Sequence, residues 1–319
     1  MSSRATLWLL LSVSLGVNAV FIYGTIAQKG GVPRGGDELG RYEFLSQRIF
    51  VERPNDVLVG LVPLRDAVRK YIGENGGEKT SFYFEYLPSG TSIGVNDRVE
   101  YPLASLFKLP VAIATVARIE KGEESGDREL VLTEDIVDKS FGELWKKGVG
   151  ARISVREAIT ASLTQSDNTA HYLLAKNLPQ GALSRIYDDF DIPVAQTSLG
   201  PSPLGSAKGF SSIFRGMYLA SILSKDGSEA ILKMLTQTNF LDMLPAGVNG
   251  EVKVAHKIGV YEAEELGGTV YSDCGIVYVP KRPYILCMMI RGSESEARER
   301  MSYLSKMVYG YVKAVNLQE

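Results

Sequence analysis

The strongest constraint on the fold is where the strand-like segments fall. TSFYFEYL (80–87) and TSIGVN (91–96), split by the turn signal PSG (88–90), read as two strands near the start of the chain. VKVAHKIGV (252–260), GTVYSDCGIVYV (268–279) and YILCMMI (284–290) read as strands near its end, the last two joined around PKRP (280–283). Between them, from 105 to about 240, helical patterns dominate. One helix flanks each end. LVGLVPLRDAVRKYIGENG (58–76) is to end near Gly73, and RERMSYLSKMVYGYVKAV (298–315) sets Met301, Leu304, Val308 and Tyr311 at helical spacing. Strands must pair, so the economical solution is one antiparallel sheet assembled from both ends, with helices packed on it and the middle forming a helical lobe. The expected class is therefore α/β (α+β), with a site in the cleft between sheet and lobe.

Residues 6–27 (TLWLLLSVSLGVNAVFIYGTIA) carry no charge and are mostly apolar, long enough for one bilayer-spanning helix of ~20 residues. A cleavable signal ending at VNA (17–19) is the rival reading, but the apolar run continues past that point. Residues 1–28 are thus assigned as membrane anchor or signal segment, and 29–57, opening with Gly-rich sequence, as linker. Residues 58–319 are assigned as the folded domain, with its helical lobe at about 105–240. Either targeting reading carries the domain across a membrane: a single-pass membrane protein with an extracytoplasmic domain, or a secreted one if the segment is cleaved.

Composition narrows the chemistry. With 35 Lys+Arg against 37 Asp+Glu there is no basic excess, so no nucleic-acid partner is expected. The chain has two histidines, His171 and His256, and no zinc-type spacing, so neither metal nor cofactor is expected. Cys274 and Cys287 fall on adjacent expected strands. A hairpin closed tightly around PKRP offsets them diagonally, beyond good disulfide reach, so they read as buried free thiols.

ASLFKLP (104–110) sets Ser105 and Lys108 about one helical turn apart, just before the apolar run VAIATVA. The ordinary reading is a helix cap and a surface lysine. The alternative is a serine nucleophile beside a lysine that takes its proton. Pro110 fits such a helix only if its first turn is tight or starts late. ISVREAI (153–159) carries a capping box, Ser154 with Glu157, and leads a helix toward SDNTA (166–170), which alone suits a turn. HKIG (256–259) sits in a strand and alone suits an exposed lysine before a bulge.

Together, Ser-x-x-Lys, Ser-Asp-Asn and Lys-x-Gly occur in an order that resembles the class A β-lactamase and penicillin-binding protein superfamily. YPLASLFK, ISVREAI…LTQSDNTAHYLL and the ending HKIGVYEAEELGGTVYSDCGIVYVPKRPYILCMMI extend the resemblance over roughly residues 60–316, weakest between about 178 and 210. It implies the β-lactamase/transpeptidase-like fold, preceded here by one transmembrane helix. It also implies a serine acyl-enzyme hydrolase acting on a β-lactam or a cell-wall peptide of D-Ala-D-Ala type. Ser105 is then the nucleophile, Lys108 its base, and Ser166 a proton relay bridged to Lys108 and Lys257. Asn168 binds the substrate amide, Gly259 lets substrate lie along the strand, and the oxyanion hole is the N–H of Ser105 and of Val260.

Two departures stand out. Ile258 replaces the hydroxyl residue usual in the third motif, leaving Arg291 as a substitute partner for a substrate carboxylate. The stretch expected to form the Ω loop, TSLGPSPLGSAKG (197–209), contains no acid, and no glutamate lies between Glu157 and Glu229. Class A β-lactamases use an Ω-loop glutamate for deacylation, so β-lactam binding is expected and efficient turnover is not. Glu143, in FGELW, reads as solvated. A membrane-anchored, catalytically weak module that binds wall peptides remains the competing expectation.

Overall fold

The computed structural model describes residues 43–44, 61–197, 200–262 and 267–314. The anchor or signal assigned to 1–28 lies outside them; among the described residues no helix is long and apolar enough to cross a membrane. The chain divides into Met1–Glu43 and a second compact unit, Phe44–Glu319. Phe44 falls within the stretch read as linker, yet it is fully buried in the second unit. Its N–H donates to Glu229 Oε2 at 2.9 Å and its carbonyl accepts from the Tyr278 hydroxyl at 3.1 Å.

In chain order the elements are α1 (Val62–Glu74), β1 (Thr80–Tyr86), β2 (Thr91–Val95), β3 (Glu100–Pro102), α2 (Lys108–Glu120), β4 (Glu129–Val131) and β5 (Arg152–Ser154). There follow α3 (Val155–Thr164), α4 (Asn168–Lys176), α5 (Ala182–Asp189), β6 (Val194–Thr197), β7 (Gly200–Ser206), α6 (Ala207–Tyr218) and α7 (Lys225–Leu235). The chain ends with β8 (Val254–Tyr261), β9 (Val270–Val277), β10 (Tyr284–Arg291) and α8 (Glu294–Ala314).

The main sheet has the order β2-β1-β10-β9-β8, antiparallel throughout, so the early hairpin and the late three strands meet at the β1–β10 pairing. One face buries Phe82, Phe84, Leu286 and Met288 against Leu64 and Val68 of α1 and Met301, Leu304 and Val308 of α8. α6 covers the other face, packing on β1, β9 and β10. The expected sheet with flanking helices is what the chain forms.

Two expectations change. Cys274 and Cys287 are disulfide-bonded, not free. The hairpin register runs Val277↔Tyr284, so its loop takes in 278–283 and Cys274 faces Cys287 directly. The tight turn assumed from PKRP was two residues too short. Second, 197–209 is not an irregular loop: β6 and β7 form a hairpin, and β3 adds to β7. Its composition hid this, because Pro201 and Pro203 speak against a central strand. The pairing resolves the conflict. Pro201 pairs with Gln196 and Pro203 with Val194 of β6. Leu103 N–H donates to the Pro203 carbonyl at 2.9 Å and Leu204 N–H to the Pro193 carbonyl at 2.7 Å, so a carbonyl and a neighbouring N–H carry the ladder past Pro203.

Candidate active site

Residues 104–107 form a 3-10 turn that leads into α2 at Lys108. Pro110 is therefore the third residue of α2, where no intrahelical donor is lost. Ala104 enters the turn with φ +45°, a left-handed conformation that costs a non-glycine residue energy. Half-buried Ser105 sits in this turn, and Lys108, one turn on, is buried. β8 runs against the same turn. A Cβ on Gly259 would lie 2.9 Å from the Leu103 carbonyl oxygen and 3.3 Å from the Leu106 nitrogen. The absence of a side chain at 259 lets the strand approach the Ser105 turn this closely.

Ser166 lies between α3 and α4 with φ +55°, a second strained non-glycine residue. The capping box at Ser154 and Glu157 starts α3, and Asp167 starts α4 by accepting the Ala170 N–H at 2.8 Å. The other Asp167 oxygen takes the N–H groups of Glu143 and Leu144 at 2.6 and 2.7 Å. Gly142 is pinned above it: a Cβ there would fall 2.2 Å from Asp167 Oδ2. One buried carboxylate thus ties loop 138–144 to the start of α4.

These elements converge on two lysines. Lys108 Nζ donates to the Ser166 carbonyl, to Ser166 Oγ at 3.3 Å and to Asn168 Oδ1 at 2.6 Å. Lys257 Nζ, from β8, donates to the same Ser166 Oγ at 2.8 Å and to the Ile258 carbonyl at 3.1 Å. The Ser166 hydroxyl therefore bridges two buried lysine amines. Burial pushes the Lys108 pKa down to about 8, although the Asp167 and Asp138 charges oppose it. Lys257 is pushed well below the ordinary lysine range by burial and then by Lys108, with Asp273 opposing. Two cations at this spacing disfavour each other, so the pair gives up its first proton far more readily than free lysines do.

Ser105, Lys108, Ser166, Asn168, Lys257 and Gly259 are thus gathered where the sheet meets the helices. Val260 follows on the edge strand β8, 42% exposed. Ile258 is buried among Phe82, Met288 and Leu304 on the opposite face of the sheet, so its side chain does not face the lysines. Arg291 lies on β10 across from Val270. Glu143 is exposed and paired with Lys146 at 2.6 Å.

Residues outside the three motifs also shape the site. His171, one turn beyond Asp167, stays neutral: burial, then the Lys108 and Lys257 charges, lower its pKa to about 3. Phe141, 42% exposed, stands with its ring centroid 6.0 Å from Lys108 Nζ and 5.8 Å from the Phe240 ring. Asp138 and Ser140 hold the Asn168 amide, Nδ2 donating to Asp138 Oδ1 at 3.3 Å and to Ser140 Oγ at 3.0 Å. In sequence, D-K-S reads only as a turn; its docking on Asn168 is tertiary.

The sequence model of the beta-lactamase enzyme family matches residues 63–312. The beta-lactamase regulatory protein BlaB of Streptomyces cacaoi is 32% identical over 124 residues, which span 39% of this chain and only 38% of that protein. A beta-lactamase of Bacteroides uniformis is 25% identical over 263 residues, 74% of this chain and 87% of its own. Among solved structures, that of PBP-A superposes with a TM-score of 0.72 at 22% identity, covering 80% of this chain and 97% of its own. At that identity the superposition speaks for the fold.

Proposed function

The chain belongs to the beta-lactamase enzyme family and is a serine hydrolase of that type; we propose that Ser105 is its nucleophile and attacks the carbonyl of a β-lactam or a D-Ala-D-Ala-type amide. Neutral Lys108 takes the Ser105 proton as Oγ bonds to the carbonyl carbon. The oxyanion is held by the N–H groups of Ser105 and Val260, fixed donors of the kind that contribute most to acyl transfer. When the C–N bond breaks, the Ser166 hydroxyl protonates the departing nitrogen and recovers a proton from the lysine pair.

One observation carries this reading: the Ser166 hydroxyl bridging Lys108 and Lys257, beside the turn that holds Ser105. Burying two lysine amines with no carboxylate hydrogen-bonded to either is costly. Proton transfer needs a lysine that is neutral part of the time, and this cluster supplies one.

Turnover is proposed to be slow after acylation. Residues 197–209 contain no acid, and Glu143 points to solvent. The acyl-enzyme then persists, as in a penicillin-binding protein. A second reading, a catalytically weak membrane-anchored module binding wall peptides, draws on the same missing acid and on the regulatory protein among the relatives. An extracytoplasmic location, with 1–28 as anchor or signal, is supported by the charge-free run 6–27 and by the Cys274–Cys287 disulfide, a bond that persists in oxidising compartments.

The test is intact-mass measurement of residues 41–319 with benzylpenicillin, with Ser105→Ala as control. The expected result is an adduct on the wild type alone that lasts for hours. Penicillin consumed without a lasting adduct would make the protein an efficient β-lactamase. No adduct would count against the nucleophile and favour the binding module.

A further inference from the structure

Asn168 does not face the substrate space alone. Lys108 fixes its Oδ1, so Nδ2 turns toward Asp138 Oδ1 and Ser140 Oγ. The Asp138 carboxylate also accepts the Ser140 N–H at 2.7 Å and the Ser140 hydroxyl, both on Oδ1. Its backbone is clamped to α4, its N–H donating to Thr169 Oγ1 and its carbonyl accepting from the same hydroxyl, each at 3.0 Å. Burial pushes the Asp138 carboxyl up, but hydrogen bonds from Ser140, Asn168 and Phe141 outweigh it and hold it below the usual range. A fixed, ionised carboxylate therefore stands directly behind the Asn168 amide.

No ion pair within the described residues neutralises it. Lys108 feels its charge only from across Asn168, and Lys139, next in sequence, has its Nζ 5.7 Å over the Trp145 ring. Tyr172 stands near the carboxylate, and Phe141 follows it on the same loop with its N–H bonded to it. Tyr172, one turn beyond Asn168, is 44% exposed, and its phenol is pushed up by burial and by the Asp138 charge. Phe141 is 42% exposed on the same loop as Asp138. An anion beside exposed aromatic faces suits a cation.

Resting on the acyl-transfer reading above, we infer that Asp138, with Tyr172 and Phe141, selects substrates whose acyl side chain carries an ammonium group. A carbonyl oxygen approaching Asn168 Nδ2 competes with Asp138 for the same donor and meets its negative charge. An ammonium group finds the carboxylate as its acceptor and the rings as its walls. Asp138 thus sets specificity; Lys108 and Ser166 carry the proton transfers.

Two penicillins that differ by one amino group test this: benzylpenicillin, with a neutral phenylacetyl side chain, and ampicillin, its α-amino derivative. Acylation rates are measured by intact mass on wild type, Asp138→Asn and Tyr172→Leu at low and high salt. The wild type is expected to favour ampicillin by about fivefold at low salt, the upper range for a partly exposed ion pair. Asp138→Asn should erase that ratio, Tyr172→Leu should reduce it, and salt should weaken it in wild type only. Equal wild-type rates, or a preference that survives Asp138→Asn, would overturn the inference and leave the acyl-enzyme reading intact. No adduct with either compound would overturn both.

Discussion

Two consecutive residues of β8, His256 and Lys257, are buried on opposite faces of the same strand, and their surroundings are opposites. His256 Nδ1 pairs with Asp273 at 2.7 Å, and the other Asp273 oxygen takes the Leu244 N–H at 2.9 Å. Among the described residues Lys257 has only a hydroxyl and a carbonyl as acceptors, and it shares the hydroxyl with a second lysine. In the first site the acid stands beside its partner and both its oxygens are used, although His256 Nε2 is buried with no partner among the described residues. The second buries two amines where folding alone would not place them. One strand thus separates a part that holds the protein together from a part that holds a reactive proton.

The largest effect that can break this comparison is kinetic. Lys257→Met keeps the volume and removes the amine. The acylation rate with benzylpenicillin is expected to fall by about 10²–10⁴, the usual range for losing a positioned proton-transfer group. The melting temperature is expected to hold or rise, because an apolar side chain avoids the desolvation that burying the amine costs. A rate loss accompanied by marked destabilisation would make Lys257 a structural residue.

On the other face the sign reverses. Asp273→Ala leaves His256 and the Leu244 N–H without their acceptor in a buried setting. The expected loss is about 3–5 kcal/mol, read by urea denaturation. An effect below about 1 kcal/mol, within the net worth of a single hydrogen bond, would show that this face is no more essential than the surface. The Asp273 charge also raises the Lys257 pKa through the strand, so the pH profile of acylation should shift in any variant that folds.

The same contrast explains what could be read from the sequence. Each element whose cause is local was visible: the Ser154–Glu157 capping box, the alternation in β1, and the apolar spacing of Met301, Leu304 and Val308. The three motifs could be placed on a helix start, a helical region and a strand, because residue types at short spacing carry that information. Causes acting across the fold were hidden. The disulfide depends on a two-residue difference in hairpin register. The β6–β7 hairpin depends on ladder bonds that bypass the missing N–H of Pro203, such as Leu204 N–H to the Pro193 carbonyl. Ile258 was read as a loss to the substrate pocket, but strand alternation turns it into the core opposite Lys257. Asp138 belongs to the site only because Thr169 and Asp167 dock its loop on α4. Gly259 was expected to make room for substrate, yet what its missing Cβ faces is the Ser105 turn.

The smallest expected effect sharpens the comparison through pH. Lys108 titrates near 8 in the folded protein and in the ordinary lysine range, near 10.5, when unfolded. Between these values the unfolded chain binds more protons than the folded one, so stability rises with pH across that window. Below about 8 both states are protonated and the full penalty of burying the ammonium remains, about 3 kcal/mol for a shift of this size. Lys108→Met should remove that dependence, leaving a flatter stability curve between pH 8 and 10 that lies above wild type at pH 7. Wild-type acylation should rise with pH over the lower part of the range and level off near 8, as Lys108 becomes neutral. Parallel stability curves for the two proteins would mean that Lys108 bears no burial penalty, and the neutral base would have to be sought elsewhere in the cluster.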